Sequence, residues 1–171
     1  MHADHDADHD TDHAADRDTD HLRRAIAVAA AAREAGNHPF GAVLVDGSGA
    51  VVLEAQNTVT TDHDVTGHAE TNLVRLASRT LVGTDLSAYT LVTSCEPCAM
   101  CAGAVYWSGI GRIVYGLSES ALREITGAHP ANPTLAHPCR LVLADGSRRV
   151  EVSGPLLEDE AAVVHDDFWT T

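Results

Sequence analysis

From Gly41 onward the apolar residues come in short runs broken by turn formers, at the spacings of strands and helices. Gly41-Ala42-Val43-Leu44-Val45 and Val51-Val52-Leu53-Glu54-Ala55 flank Asp46-Gly47-Ser48-Gly49, which predicts a β-hairpin. Tyr89-Thr90-Leu91-Val92-Thr93 and Arg112-Ile113-Val114-Tyr115-Gly116 predict two more strands. Leu141-Val142-Leu143 and Val150-Glu151-Val152, around Asp145-Gly146, predict a second hairpin. A helix is expected from about Thr19 to Ala35, with Asp20 at its N-cap and Gly36-Asn37 as its stop. His68 to Arg79 carries Ala69, Leu73, Leu76 and Ala77 at the spacing of a core-facing stripe. Pro97 to Trp107 reads as a small apolar helix whose proline suits a first turn, and Glu119 to Ile125 and Pro155 to His165 read as further helices. Asn57 to Gly67 and the breaker-rich Gly127 to Pro133 are expected to be loops. Helices alternating with strands argue for an α/β sheet covered by helices on both faces.

Composition sets the first 21 residues apart. They are nearly all Asp, His, Ala and Thr, with no Leu, Ile, Val or aromatic residue. Such a segment cannot bury enough apolar surface to offset the entropy of ordering, so 1–21 is expected to be a disordered tail and 22–171 one domain. The five His of the tail are read as part of a solvated extension, because flexible His/Asp tracts bind metals only loosely. The net charge is −14, half of it in the tail, and the chain has no lysine. A chain without a basic face is a poor partner for nucleic acid. There is no apolar run long enough to span a membrane and no basic-then-apolar leader. Four cysteines without a disulfide framework suit a reducing cytoplasm.

The chemistry is concentrated in two segments. Thr66-Gly67-His68-Ala69-Glu70 and Cys95-Glu96-Pro97-Cys98-Ala99-Met100-Cys101 lie about 30 residues apart. One His and two Cys can hold Zn²⁺ and leave the fourth tetrahedral position to water, and a glutamate two residues beyond the His can move that water's proton. Cys98 and Cys101 stand at i and i+3 in the first turn of a helix, where free amide N–H groups and the helix dipole favour thiolates. A closed structural site with Cys95 as fourth ligand is the alternative, but it would leave Glu70 without a task. Otherwise Cys95 is a small buried residue at a strand end, and Cys139 an ordinary buried thiol. His63 reads as a polar loop residue.

From Pro39 to about Gly116 the chain resembles the cytidine/deoxycytidylate deaminase superfamily, and most of all its guanine deaminase, cytosine deaminase and tRNA adenosine deaminase branch. Pro39-Phe40-Gly41-Ala42-Val43, Asn57, Asp64-Val65-Thr66-Gly67-His68-Ala69-Glu70, Cys95 to Ala104 and Tyr106-Trp107 stand in the family's order. The family pattern sets a proline before the first cysteine ligand, which selects Cys98 and Cys101. The resemblance implies a three-layer α/β/α sandwich on a mixed five-stranded sheet, and a homodimer. It implies His68, Cys98 and Cys101 as zinc ligands and Glu70 as proton shuttle. Asn57 and the backbone N–H of Ala69 would hold polar edges of a base, and Phe40 and Trp107 would form its pocket. Guanine-acting relatives bring a second acid from beyond Gly116, for which Glu119 and Glu124 are the candidates, and a C-terminal aromatic, for which Phe168 and Trp169 are. The implied activity is hydrolytic deamination of a free amino-substituted base or nucleoside, guanine-like first, cytosine- or triazine-like next. A tRNA adenosine deaminase would use the same chemistry but need an electropositive footprint, and a zinc-stabilised interaction module would keep the ligands without Glu70.

Overall fold

The computed structural model describes residues 6–127 and 129–170, with side chains from residue 16 on. In chain order the elements are α1 (Asp6–Glu34), β1 (Gly41–Val45), β2 (Val51–Gln56), α2 (Val59–Asp62), α3 (Ala69–Thr80), β3 (Thr90–Cys95) and α4 (Ala99–Ser108). β4 (Arg112–Leu117), α5 (Glu119–Thr126), α6 (Cys139–Ala144), β5 (Glu151–Ser153), α7 (Glu158–Ala162) and a 3-10 turn (Val163–His165) follow. The strands form one five-stranded sheet in the order β2-β1-β3-β4-β5. β1 runs antiparallel to β2 and β3, while β4 runs parallel to both β3 and β5, so the sheet is mixed, as expected.

Strand alternation builds the three layers. Ala42, Leu44, Leu91, Ile113 and Tyr115 face one side and pack with Leu73, Ala77, Ala102, Val105 and Leu143 of α3, α4 and α6. Val43, Val45, Val92 and Val114 face the other side and pack with Leu22 and Ala25 of α1. Ala25, Ala29 and Ala32 are all fully buried, and this small-residue face lets α1 lie close on the sheet. Gly41 marks the closest approach: a Cβ there would fall on the backbone of Ala25 and Ala29.

Five expectations change, the smallest being that α2 lies within Asn57 to Gly67, a stretch expected to be a loop. The first helix spans Asp6–Glu34, so it starts well before Thr19, Asp20 is interior, and the expected tail boundary falls inside it. Nothing in the Asp/Ala/His/Thr stretch breaks a helix, and extending one already packed on a sheet avoids the cost of nucleation. The expectation for residues 1–5 lies outside the described residues. The second hairpin is absent, because Leu141 to Leu143 belong to α6 and β5 adds to β4 in parallel. Cys139 and Leu143, one turn apart and both buried in the α3/α4 core, give that segment a helical face that outweighs its β propensity. Leu76 is 36% exposed, outside the buried stripe of Ala69, Leu73 and Ala77. The final helix breaks into α7 and the 3-10 turn. Among the described residues no helix is long and apolar enough to cross a membrane.

Candidate active site

Two helix starts face each other where β3 ends. His68 is the N-cap of α3 and Cys98 the N-cap of α4, both with extended backbone, and Cys101 sits in the first turn of α4. His68 Nδ1 lies 3.7 Å from Cys98 Sγ and 3.6 Å from Cys101 Sγ, and the two sulfurs are 3.7 Å apart. A tetrahedral ion with Zn–S and Zn–N bonds of ordinary length needs S···S and S···N edges of about 3.8 and about 3.6 Å, so the triangle fits zinc. These are also the three residues whose ligand atoms cluster at metal-binding separation among the described residues. The Cys98 thiol is lowered to about 4, chiefly by its hydrogen bond with Cys101. Cys101 is raised by that same bond and by burial. Two thiolates this close repel, and a cation between them removes the conflict. Thr71 Oγ1 lies 3.3 Å from Cys101 Sγ and orients it. Cys95 is buried at the end of β3, and its Sγ lies 3.4 Å from His165 Nε2, outside this triangle.

Glu70 projects from the first turn of α3 into the adjoining cavity, and burial pushes its carboxyl up to about 7. A carboxyl poised near neutrality can both take and return a proton. The cavity has a volume of about 420 Å³, in the range of small-molecule sites. Asn57 reaches it from the end of β2. Its Oδ1 accepts the Val59 N–H at 3.0 Å and its own N–H donates to the Phe40 carbonyl at 3.0 Å. Among the described residues its side-chain NH₂ makes no hydrogen bond, which leaves a donor for a ligand. Ala69 opens α3, so its amide is one that the helix leaves without an internal acceptor.

A family model for the cytidine and deoxycytidylate deaminase zinc-binding region matches residues 15–117. The chain belongs to this deaminase family. The probable cytosine deaminase of Schizosaccharomyces pombe is 46% identical over 149 residues, covering 87% of this chain and 90% of that one. The guanine deaminase of Bacillus subtilis is 42% identical over 104 residues, covering 60% of this chain and 66% of that one. The structure of a guanine deaminase from Nitrosomonas europaea superposes with a TM-score of 0.73 at 26% identity, covering 88% of this chain and 84% of that one.

In this deaminase the cavity brings together His68, Glu70, Cys98, Asn57, Phe40 and Glu119 of the residues singled out from the sequence. Burial and the nearby Cys98 raise the Glu119 carboxyl to about 7. Glu124 lies instead in a neighbouring groove with Arg123 and Pro138. Trp107 does not reach the cavity: it points outward from α4, 85% exposed, edge-on to Tyr106. Phe168 and Trp169 do not line the cavity either. Trp169 is buried behind it, with ring centroids 5.3 Å from His38 and 6.2 Å from Phe40. His63 caps α2 in a left-handed conformation, away from the metal triangle.

His38 and the Pro130 to Pro133 wall also line the cavity, and no local pattern along the chain marks them. Glu96 was in plain view within the cysteine motif. It is 8% exposed, and its two carboxylate oxygens accept the Glu119 N–H at 3.1 Å and the Cys139 N–H at 3.0 Å. It therefore ties the starts of α5 and α6 to the metal turn and anchors both ends of the segment that walls the cavity.

Proposed function

We propose that this chain binds Zn²⁺ through His68, Cys98 and Cys101 and hydrolytically deaminates a free, neutral amino-oxo nucleobase of the cytosine or guanine kind. One observation carries the choice of substrate. The charged side chains lining the cavity are Glu70, Glu96, Glu119 and the ligand set, and no Arg or Lys is among them. A phosphate brought there would meet carboxylates with no cation from the protein to pair with, whereas a neutral ring meets apolar walls at Phe40, Leu122 and Leu135. The names of the cytosine and guanine deaminase relatives support a base as substrate.

Zinc held by the three ligands supplies a Lewis acid that makes water acidic near neutral pH. Glu70 then takes the proton of the attacking water and returns it to the ring nitrogen beside the reacting carbon. A second proton, taken by the same carboxyl from the hydroxyl now on that carbon, goes to the exocyclic amine. The new C–O bond forms, the C–N bond breaks, and ammonia leaves. Asn57 and the Ala69 amide hold the ring so that this carbon faces the ligand triangle.

Two further parts of the proposal concern the protein's setting. Trp107 stands 85% exposed on α4, and an exposed tryptophan of this kind supports a homodimer that covers it. All four cysteines are free and three are buried, which supports a reducing, cytoplasmic setting.

The test is ammonia release by the zinc-loaded chain from cytosine, guanine, cytidine, guanosine, dCMP and a tRNA anticodon stem-loop. Turnover is expected with a free base and not with the phosphorylated substrates. Turnover of the stem-loop or dCMP alone would overturn the proposal.

A further inference from the structure

His38 is a half-buried imidazole on the cavity wall that the mechanism above does not use. Its backbone is fixed on both sides. Asn37, 1% exposed, accepts hydrogen bonds from the Thr60 and Thr61 amides at 3.1 and 3.0 Å, which pins the segment to α2. The His38 carbonyl accepts the Phe40 N–H at 2.8 Å just before β1 begins. The ring is then packed by Phe40, Phe168 and Trp169, at centroid distances of 6.5, 6.1 and 5.3 Å. Such packing holds the imidazole in one orientation.

What this rigid ring lacks is a polar partner. Among the described residues neither of its nitrogens makes a hydrogen bond, yet neither is sealed from solvent. The aromatic neighbours offer no acceptor or donor in the ring plane, so the polar edge is left to whatever enters the cavity. A ring that enters takes this edge out of water, so a ligand that pairs the imidazole is favoured over one that leaves it unpaired. Burial, with His68 and His129 close by, lowers the pKa of the ring. At neutral pH it is therefore uncharged and offers one N–H donor and one nitrogen acceptor.

We propose that His38 is a specificity-determining residue that hydrogen-bonds the lactam edge of the substrate ring, its carbonyl or ring N–H, away from the amine that is lost. The inference rests on the nucleobase reading and deepens it. Asn57 and the Ala69 amide hold the reacting side of the ring, and His38 selects rings whose far side carries an oxo group or N–H. A hydrocarbon edge would leave the imidazole unpaired and be disfavoured.

Binding is measured by calorimetry on the zinc-loaded full chain in a Glu70→Gln background, where bound base is not consumed, with cytosine and guanine as probes. His38→Phe keeps an aromatic ring in the cage and removes the polar edge, and His38→Gln restores a donor and an acceptor. Relative to His38, the Phe variant is expected to weaken the tighter-bound probe about tenfold, one hydrogen bond to a desolvated group. In the Glu70 enzyme the same change should raise KM about tenfold and leave kcat within about twofold, the mark of an interaction made equally in ground and transition states. Melting temperature should stay level, because the aromatic packing around the ring is kept, and His38→Gln should recover most of the affinity. Unchanged affinity for both bases in His38→Phe would overturn the inference. So would an affinity loss that tracks a fall in melting temperature and is not recovered by Gln, since that is the behaviour of a packing residue. If neither base binds the His38 chain and no base releases ammonia, the nucleobase proposal itself fails. Release of ammonia with His38→Phe indistinguishable from the parent defeats the His38 role alone.

Discussion

Asp18 and Arg112, 94 residues apart in the chain, meet in a two-pronged ion pair with N···O distances of 2.7 and 2.6 Å. The Asp18 side chain is 13% exposed and that of Arg112 28%, and Arg112 also bonds Ser153 at 3.0 Å. The pair clips α1 to the start of β4 beside the β5 edge. Replacing Asp18 by Ala removes two charge-assisted hydrogen bonds from a partly desolvated arginine. The expected loss is about 1–2 kcal/mol, lowering the melting temperature by about 2–8 °C. Thermal unfolding of Asp18→Ala beside the parent decides it: an unchanged melting temperature would mean the pair contributes nothing.

Zinc content separates the three cysteines near the site. Cys98→Ser and Cys101→Ser each remove one of three ligands and should lose most of about one bound zinc per chain. Cys95→Ser should keep it, because Cys95 Sγ is turned to His165 instead. Elemental analysis of the dialysed proteins gives the answer, and equal zinc loss in Cys95→Ser would favour a closed structural site.

Glu70→Gln preserves shape and removes the proton carrier. Deamination should fall at least about a hundredfold while zinc and circular dichroism stay those of the parent. Turnover near the parent rate would exclude Glu70 from the proton transfers.

Trp107 has no role inside its own cavity. If its exposed face is covered by a second copy, Trp107→Arg should place a charge in a desolvated contact and shift the sedimentation coefficient from dimer to monomer. A parent chain that already sediments as a monomer would sink the dimer proposal.

His165 sets an acid limit on stability. It is 1% exposed, and its Nδ1 accepts the Trp169 Nε1–H at 3.2 Å. Burial, with Arg33 adding to it, pushes its pKa down to about 4. The folded ring is thus neutral where the unfolded ring, near its ordinary value of about 6.5, takes up a proton. The unfolded state binds more protons between those two values, so stability falls as pH is lowered through pH 6.5 to 4, by about 3 kcal/mol at most. Above 6.5 this residue contributes no pH dependence. Urea midpoints across that window should fall more steeply for the parent than for His165→Gln, and parallel profiles would refute the assignment.

The sequence alone determined what depends on neighbours along the chain. Asp46 to Gly49 marks a hairpin because turn dihedrals are local, and Cys98 and Cys101 share a helix start because i, i+3 spacing is a property of one turn. His68, Glu70 and the two cysteines were legible together for that reason. Only the tertiary structure decided which elements became neighbours. Phe40 and Trp107 were equal candidates as aromatics, yet Phe40 lies on the cavity and Trp107 lies 85% exposed, because the sheet order puts one face of α4 on the core and the other outside. The same holds for His38, which nothing along the chain marks, and for Glu96, whose partners Glu119 and Cys139 come from two later helices. Cys139 to Ala144 went against local reading because burial on the sheet outweighs β propensities of a few tenths of a kcal/mol per residue. Periodicity says which side of a segment is apolar, but only packing says what that side meets.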